Sequence, residues 1–210
     1  MKGLLLKDWY IALRYCRMHL VIIAVMAAAT QLVDTGVVFL MYPMLFAGYM
    51  ATRILSVDEA SGWERLRETM PVSRRTAVSE KYVLSLIAIG AAALLMGIVW
   101  ALRLAVTGGG DWRQLVRMLA QLVCFGCLFP ALTLPPMFRF GVEKGRVVTL
   151  AVLAVLALLI ILVNTRTEMI AQPDIAAALG WHVPPLVLGT AALLCLSWLL
   201  SVKLYERREL

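Results

Sequence analysis

The sequence predicts an all-α protein built mainly inside a lipid bilayer, with six membrane-spanning helices, an N-terminal amphipathic helix in the interface and a short helix at the inner surface. Three observations predict it. The 210 residues are 62% hydrophobic and only 16% charged, with a mean hydropathy of +0.85, where soluble domains run nearer about half apolar and a quarter charged. Six apolar segments approach the about 20 residues that cross the hydrocarbon as a helix. Basic residues gather on alternate connections between those segments, as the positive-inside rule requires of cytoplasmic loops.

In chain order, residues 1–16 come first. They set Leu4, Leu5, Trp9, Ile11 and Ala12 against Lys2, Lys7, Asp8 and Arg14. That division fits a helix lying along the inner membrane surface, with Trp9 and Tyr10 at headgroup depth. No small-residue cleavage site follows, so the segment does not read as a removable signal. The expected spans are 18–33, 37–55, 83–106, 115–134, 147–163 and 183–204. The turn Asp34-Thr35-Gly36 is short enough to make the first two an antiparallel hairpin. Pro135-Pro136 is expected to end the fourth span at Leu134, and Pro130 to kink it. Such a kink needs neighbouring helices to take up the freed carbonyls, so this span is expected to pack against protein. Between the fifth and sixth spans, residues 164–182 include a candidate short outer helix from Pro173 to Gly180.

With the N-terminus inside, inner segments hold 16 of the 20 Lys and Arg, leaving Arg103, Arg113, Arg117 and Arg166 outside. Both termini are therefore expected in the cytoplasm, in one transmembrane unit over residues 1–210 at the cell membrane. The net charge of +7 is accounted for by this distribution, and no basic run interleaved with aromatics points to nucleic acid.

A search for chemistry excludes most enzyme classes. Charge inside a bilayer is costly and is kept for use, and the middles of the six segments carry none. His19, Arg103 and Arg117 all lie near a membrane surface. Residues 141–146 are glycine-rich and basic but lack the Gly-x-x-x-x-Gly-Lys-Ser/Thr spacing that cradles phosphate. Cys124 and Cys127, at i and i+3, read as packing residues; a thiol redox enzyme is the alternative they leave open. Cys16 and Cys195 add no disulfide framework. No catalytic, metal or cofactor-binding residue is expected on this chain.

The informative segment is the inner loop, 56–82. Asp58 to Met70 reads as a short amphipathic helix with Trp63, Leu66 and Met70 on one face. Pro71 ends it, and Ser73 caps a second helix running through Lys81-Tyr82 into the third span.

Asp58-Glu59, Trp63, Met70-Pro71-Val72-Ser73-Arg74 and Ser79-Glu80-Lys81-Tyr82 together resemble the loop of small ABC-2 type permeases. The segment from Phe138 to Arg146 is similar to that family's second inner loop, and the opening Met-Lys-Gly-Leu-Leu-Leu-Lys-Asp to its usual start. The likeness runs over the whole chain and looks nearest to permeases of exporters for phenol-soluble modulins, with Met70 where the family more often has Leu. It implies a subunit without catalysis of its own, working with two copies of a cytoplasmic ABC ATPase that hold the ATP and Mg. It also implies a second permease copy or a paralogue, with an amphipathic peptide passing between the two permeases along spans one, two and five. Coupling contacts to the ATPase would be Asp58, Glu59, Trp63, Arg67, Pro71, Ser73 and Arg74, flanked by Arg139, Glu143, Lys144 and Arg146. A membrane immunity or sensor protein that sequesters a toxic peptide is a further alternative.

Overall fold

The computed structural model describes residues 2–15, 17–18, 21–22, 24–25, 37–70, 73–107, 112–167 and 183–207. Every regular element among them is α-helical. The helices are α1 (Lys2–Tyr15), α2 (Val37–Ala60), α3 (Trp63–Glu68), α4 (Arg74–Thr107), α5 (Trp112–Phe140), α6 (Val142–Thr167) and α7 (Val183–Glu206). Most of the first expected span, the turn at 34–36, His19, Cys16, Pro71 and the helix expected at 173–180 lie outside the described residues.

Three helices among the described residues are long and apolar enough to cross a membrane, over Arg74–Val106, Leu115–Phe140 and Val183–Glu206. The expected spans at 37–55 and 147–163 fall within α2 and α6. α4 has 34 residues, about 51 Å at the helical rise, against a hydrocarbon layer of about 30 Å. Its first turns therefore stand clear of the apolar layer.

The outer surface of the bundle is apolar, and α7 turns its polar residues inward, the reverse of a helix in a soluble protein. The buried residues of α7 are Thr190, Ser197, Ser201 and Tyr205, while Leu188, Leu196, Leu199 and Leu200 point outward. α4 likewise exposes Leu94, Ile98, Leu102 and Val106. In water such a surface would drive aggregation; in lipid it is the solvated face. Small hydroxyl residues facing inward let helices approach and bond across the interface. Tyr82 Oη on α4 lies 2.6 Å from Ser197 Oγ and 2.8 Å from Ser201 Oγ on α7. Trp198 Nε1 donates to Ser79 Oγ at 3.0 Å.

α5 corrects one expectation. It runs through Pro135-Pro136 to Phe140 instead of ending at Leu134. Proline removes an N–H and so frees the carbonyl four residues back. Pro135 frees Ala131, whose oxygen accepts from Ser197 Oγ at 2.6 Å. Pro130 frees Gly126, whose oxygen faces Gly48 of α2, 2.9 Å from where a Cβ would stand. With a carbonyl answered by the neighbouring helix, the chain stays helical. The expectation that this helix packs against protein is met by α2, α4, α6 and α7, all of which touch it.

The second inner loop also differs from a loop. α5 and α6 are joined by Gly141 alone, at a φ of 81° that favours glycine. The turn is close enough that a Cβ on Gly145 would lie 2.6 Å from Met137 Cα. Gly145→Ala is therefore expected to destabilise the protein by about 1–3 kcal/mol, the usual range for overpacking, read as a lower thermal midpoint in detergent. Gly90→Ala, with nothing within 4 Å of the new methyl, is the control and should leave the midpoint in place.

Candidate functional site

The charged end of the bundle is where the sequence motifs meet. α2 does not stop before Asp58, so the expected helix from Asp58 to Met70 is divided. Asp58 and Glu59 occupy the last turn of α2, and the chain breaks at Gly62, whose φ of 70° is left-handed. Ser61 and Gly62 close the break, donating their N–H groups to the carbonyls of Val57 and Glu59. α3 then runs only from Trp63 to Glu68, and the Thr69 N–H closes it on the Leu66 carbonyl. Ser73 Oγ accepts from the Thr76 N–H at 3.2 Å and caps α4. Thus 56–82 is two helix ends and a six-residue helix rather than a long solvated loop.

Below α3 sits a buried charge cluster. Lys81 of α4, 0% exposed, places its ammonium 2.6 Å from Asp8 Oδ2 and 2.7 Å from Asp58 Oδ2. Lys7 Nζ lies 2.8 Å from Asp58 Oδ1 and 2.9 Å from Asp8 Oδ1. Glu80 Oε1 is 4.0 Å from the Lys81 ammonium. Two ammonium groups, Lys7 and Lys81, face the two carboxylates Asp8 and Asp58. Burial pushes the Asp8 carboxyl up, but the Lys81 and Lys7 ammonium groups beside it outweigh this and hold the group below its ordinary value of 3.8.

Asp8 also revises the reading of α1. The stripe turned to the bundle is Leu4, Asp8 and Ala12, one helical turn apart, while Leu6, Trp9, Tyr10 and Leu13 form an exposed apolar stripe. Trp9 is therefore outside, and a residue assigned to the polar face is buried. The cost of burying it is offset by the lysines.

α3 is held at two points, four residues apart on one face. Trp63 lies under the Lys7 ammonium, 4.6 Å from the ring centroid. Arg67, 4% exposed, donates to Tyr205 Oη of α7 and sits 5.3 Å over its ring. Leu66, three residues on from Trp63, is turned outward and 52% exposed, at the outer edge of the face that Trp63 occupies. Glu59 Oε2 accepts the Val142 N–H at 2.5 Å and caps α6. Arg74 Nη1 donates to the carbonyls of Tyr205 and Glu206, both at 3.2 Å. Arg139, Glu143, Lys144 and Arg146 are exposed around the α5–α6 turn.

The structure thus brings Asp58, Glu59, Trp63, Arg67 and Arg74 into one region but turns their functional groups into the chain. Sequence reasoning passed over Lys7, Asp8, Lys81 and Tyr205 as partners. The spacing of Leu4, Asp8 and Ala12 was the available signal for Asp8. Cys127 packs among Met44, Ala47, Ile89 and Leu122, and Cys124 is buried on the same helix. Among the described residues no group of three or more His, Cys, Asp or Glu is placed to hold a metal ion.

A chain with lipid-facing helices and a charged end locked to its first, second, fourth and last helices is a multi-pass membrane protein. Residues 3–206 match the family model described as ABC-2 family transporter protein, and the chain belongs to that family. It is accordingly a membrane permease component of an ABC transporter, a transport subunit whose family works with an ABC ATPase. No curated protein matches it.

Lys81→Met should cost about 3–5 kcal/mol, because it leaves two buried carboxylates with the single Lys7 ammonium at their rim. The triple variant with Asp8→Asn and Asp58→Asn should regain most of that, measured by denaturant unfolding in detergent. The folded Asp8 value lies below the unfolded one, so its contribution is complete above the unfolded value and is lost as pH falls through the folded value. Asp8→Asn should flatten this acid limb of the stability profile.

Proposed function

We propose that the chain is the permease subunit of an ABC exporter for amphipathic peptides or other hydrophobic molecules. In this reading it has six spans with both termini in the cytoplasm, and α1 lies in the inner interface with Leu6, Trp9, Tyr10 and Leu13 toward lipid. Two copies, or one copy and a paralogue, enclose the path, and each takes a cytoplasmic ATPase.

The observation that carries the proposal is α3. A six-residue helix standing outside the apolar layer, anchored by Trp63 and Arg67 and leaving Leu66 exposed, is shaped to receive an ATPase groove. Phe140 is exposed at the same end, 45% accessible, among Arg139, Glu143, Lys144 and Arg146. An exposed apolar residue within a charged rim is the usual composition of a protein contact. Asp58, Glu59, Arg67 and Arg74 serve this surface by fixing α3 from behind. Every buried charge among the described residues (Asp8, Asp58, Arg67, Glu80 and Lys81) belongs to this end. That leaves the described membrane region without buried charge, which supports a hydrophobic substrate over an ionic one.

Tagged protein purified from its own membranes should retain a chain carrying the Gly-x-x-x-x-Gly-Lys-Ser/Thr sequence, identified by mass spectrometry. Leu66→Asp combined with Phe140→Asp should lower its recovery at least tenfold, and Trp63→Ala or Glu59→Lys should weaken it by loosening α3. Undiminished recovery with the double variant would sink the interface. ATP-driven efflux of an amphipathic helical peptide from proteoliposomes holding both subunits tests export, and its absence would favour a protein that only sequesters such a peptide.

A further inference from the structure

Tyr205 is the last buried residue of α7 and has no role in the reading above. Its ring is 1% exposed and is approached by two guanidinium groups, Arg67 at 5.3 Å and Arg74 at 5.8 Å. Phe138 of α5 meets it edge-on at 5.4 Å. Arg74 also binds the Tyr205 and Glu206 carbonyls at 3.2 Å, and so secures the end of α7 to the start of α4. Arg67 is the side chain by which α3 reaches α7. Its partners among the described residues are a hydroxyl and a ring rather than a carboxylate. One hydrogen bond to a hydroxyl beside a ring is held less rigidly than a bidentate ion pair, so it keeps contact while one helix shifts against the other.

We infer that Tyr205 is the positioning residue through which movement of α3 is passed to α7. The inference rests on the proposed function, since the movement is that of a helix seated on an ATPase. Displacing Leu66 turns α3 about its two anchors. At the Trp63 anchor the chain is tied into the buried cluster on α1, α2 and α4. At the Arg67 anchor it is tied to α7 through Tyr205. A displacement of α3 therefore reaches α7 at that residue.

The test uses the ATPase complex in lipid nanodiscs. With Cys16, Cys124 and Cys127 changed to Ser, Cys195, exposed on α7, carries an environment-sensitive fluorophore, and the emission change on adding ATP with vanadate is recorded. The Tyr205→Leu complex should still capture the ATPase but lose at least five-fold of the response. Tyr205→Phe, which keeps the ring, should fall between it and the parent, and Arg67→Lys should retain more response than Arg67→Gln. A full response in Tyr205→Leu overturns the inference, as does a parent complex that hydrolyses ATP without any change at Cys195. If Tyr205→Leu does not assemble, Arg67→Gln decides on the same criterion. A parent that captures no ATPase fails the proposed function itself, a result separable from either.

Discussion

The bond on which the rest of the charged end depends is the double contact of the Lys81 ammonium with Asp8 and Asp58. These residues come from α4, α1 and α2, which also pack through Ala12, Met50, Ile54 and Leu84. An isolated charge in so dry a place would be expensive, and only mutual neutralisation makes the arrangement tolerable. The interaction specifies more than it stabilises, as buried ion pairs often do. It selects the one face of α1 that turns toward the bundle, and so sends Leu6, Trp9, Tyr10 and Leu13 outward. It also fixes the end of α2 from which α3 departs. Lys7 then adds a second ammonium at the rim and reaches Trp63, so the posture of α3 inherits the geometry of the cluster.

How much of this was legible follows from what hydropathy can register. The helical class and the spans at 83–106, 115–134 and 183–204 were readable, because lipid leaves backbone groups no partners and a helix satisfies them internally. The ends of the helices were not. α4 begins at Arg74, nine residues before its apolar stretch, since a helix continues into water wherever its side chains are capped or paired. α5 passes Pro135 because Ser197, 66 residues away in sequence, answers the Ala131 carbonyl. No local rule contains that information.

The site was legible in its parts and not in its pairing. Asp58, Trp63 and Arg74 stood out through the family resemblance, which assigns them to a partner contact. In the fold Asp58 meets Lys81 and Lys7, Trp63 meets Lys7, and Arg74 meets the end of α7. A lysine at the start of an apolar stretch looks like a snorkelling residue. Nothing in the neighbouring sequence says that two aspartates from other helices arrive around it. Tyr205 was hidden for the same reason, as an aromatic near a membrane end usually marks the headgroup layer.

The inverted polarity of α7 bears on how such a chain could move. In a soluble protein, shifting a helix exposes apolar surface to water, and the hydrophobic effect returns it. The outward leucines of α7 face lipid before and after a shift, so they supply little restoring force. Its position is set by the packing of Leu194, Trp198 and Val202 against the core and by polar contacts: Tyr82 with Ser197 and Ser201, Ser79 with Trp198, Ser197 with the Ala131 carbonyl, and the two arginines at Tyr205. Each polar contact contributes about 0.5–1.5 kcal/mol net, enough together to define a position and few enough to be exchanged for another set. Those of Tyr82, Ser79 and Arg74 engage α4, which is fastened to α1 and α2 through Lys81, and that of Ala131 engages α5. The Arg67 contact alone answers to α3, so among these contacts it is the one that joins α7 to the segment between α2 and α4.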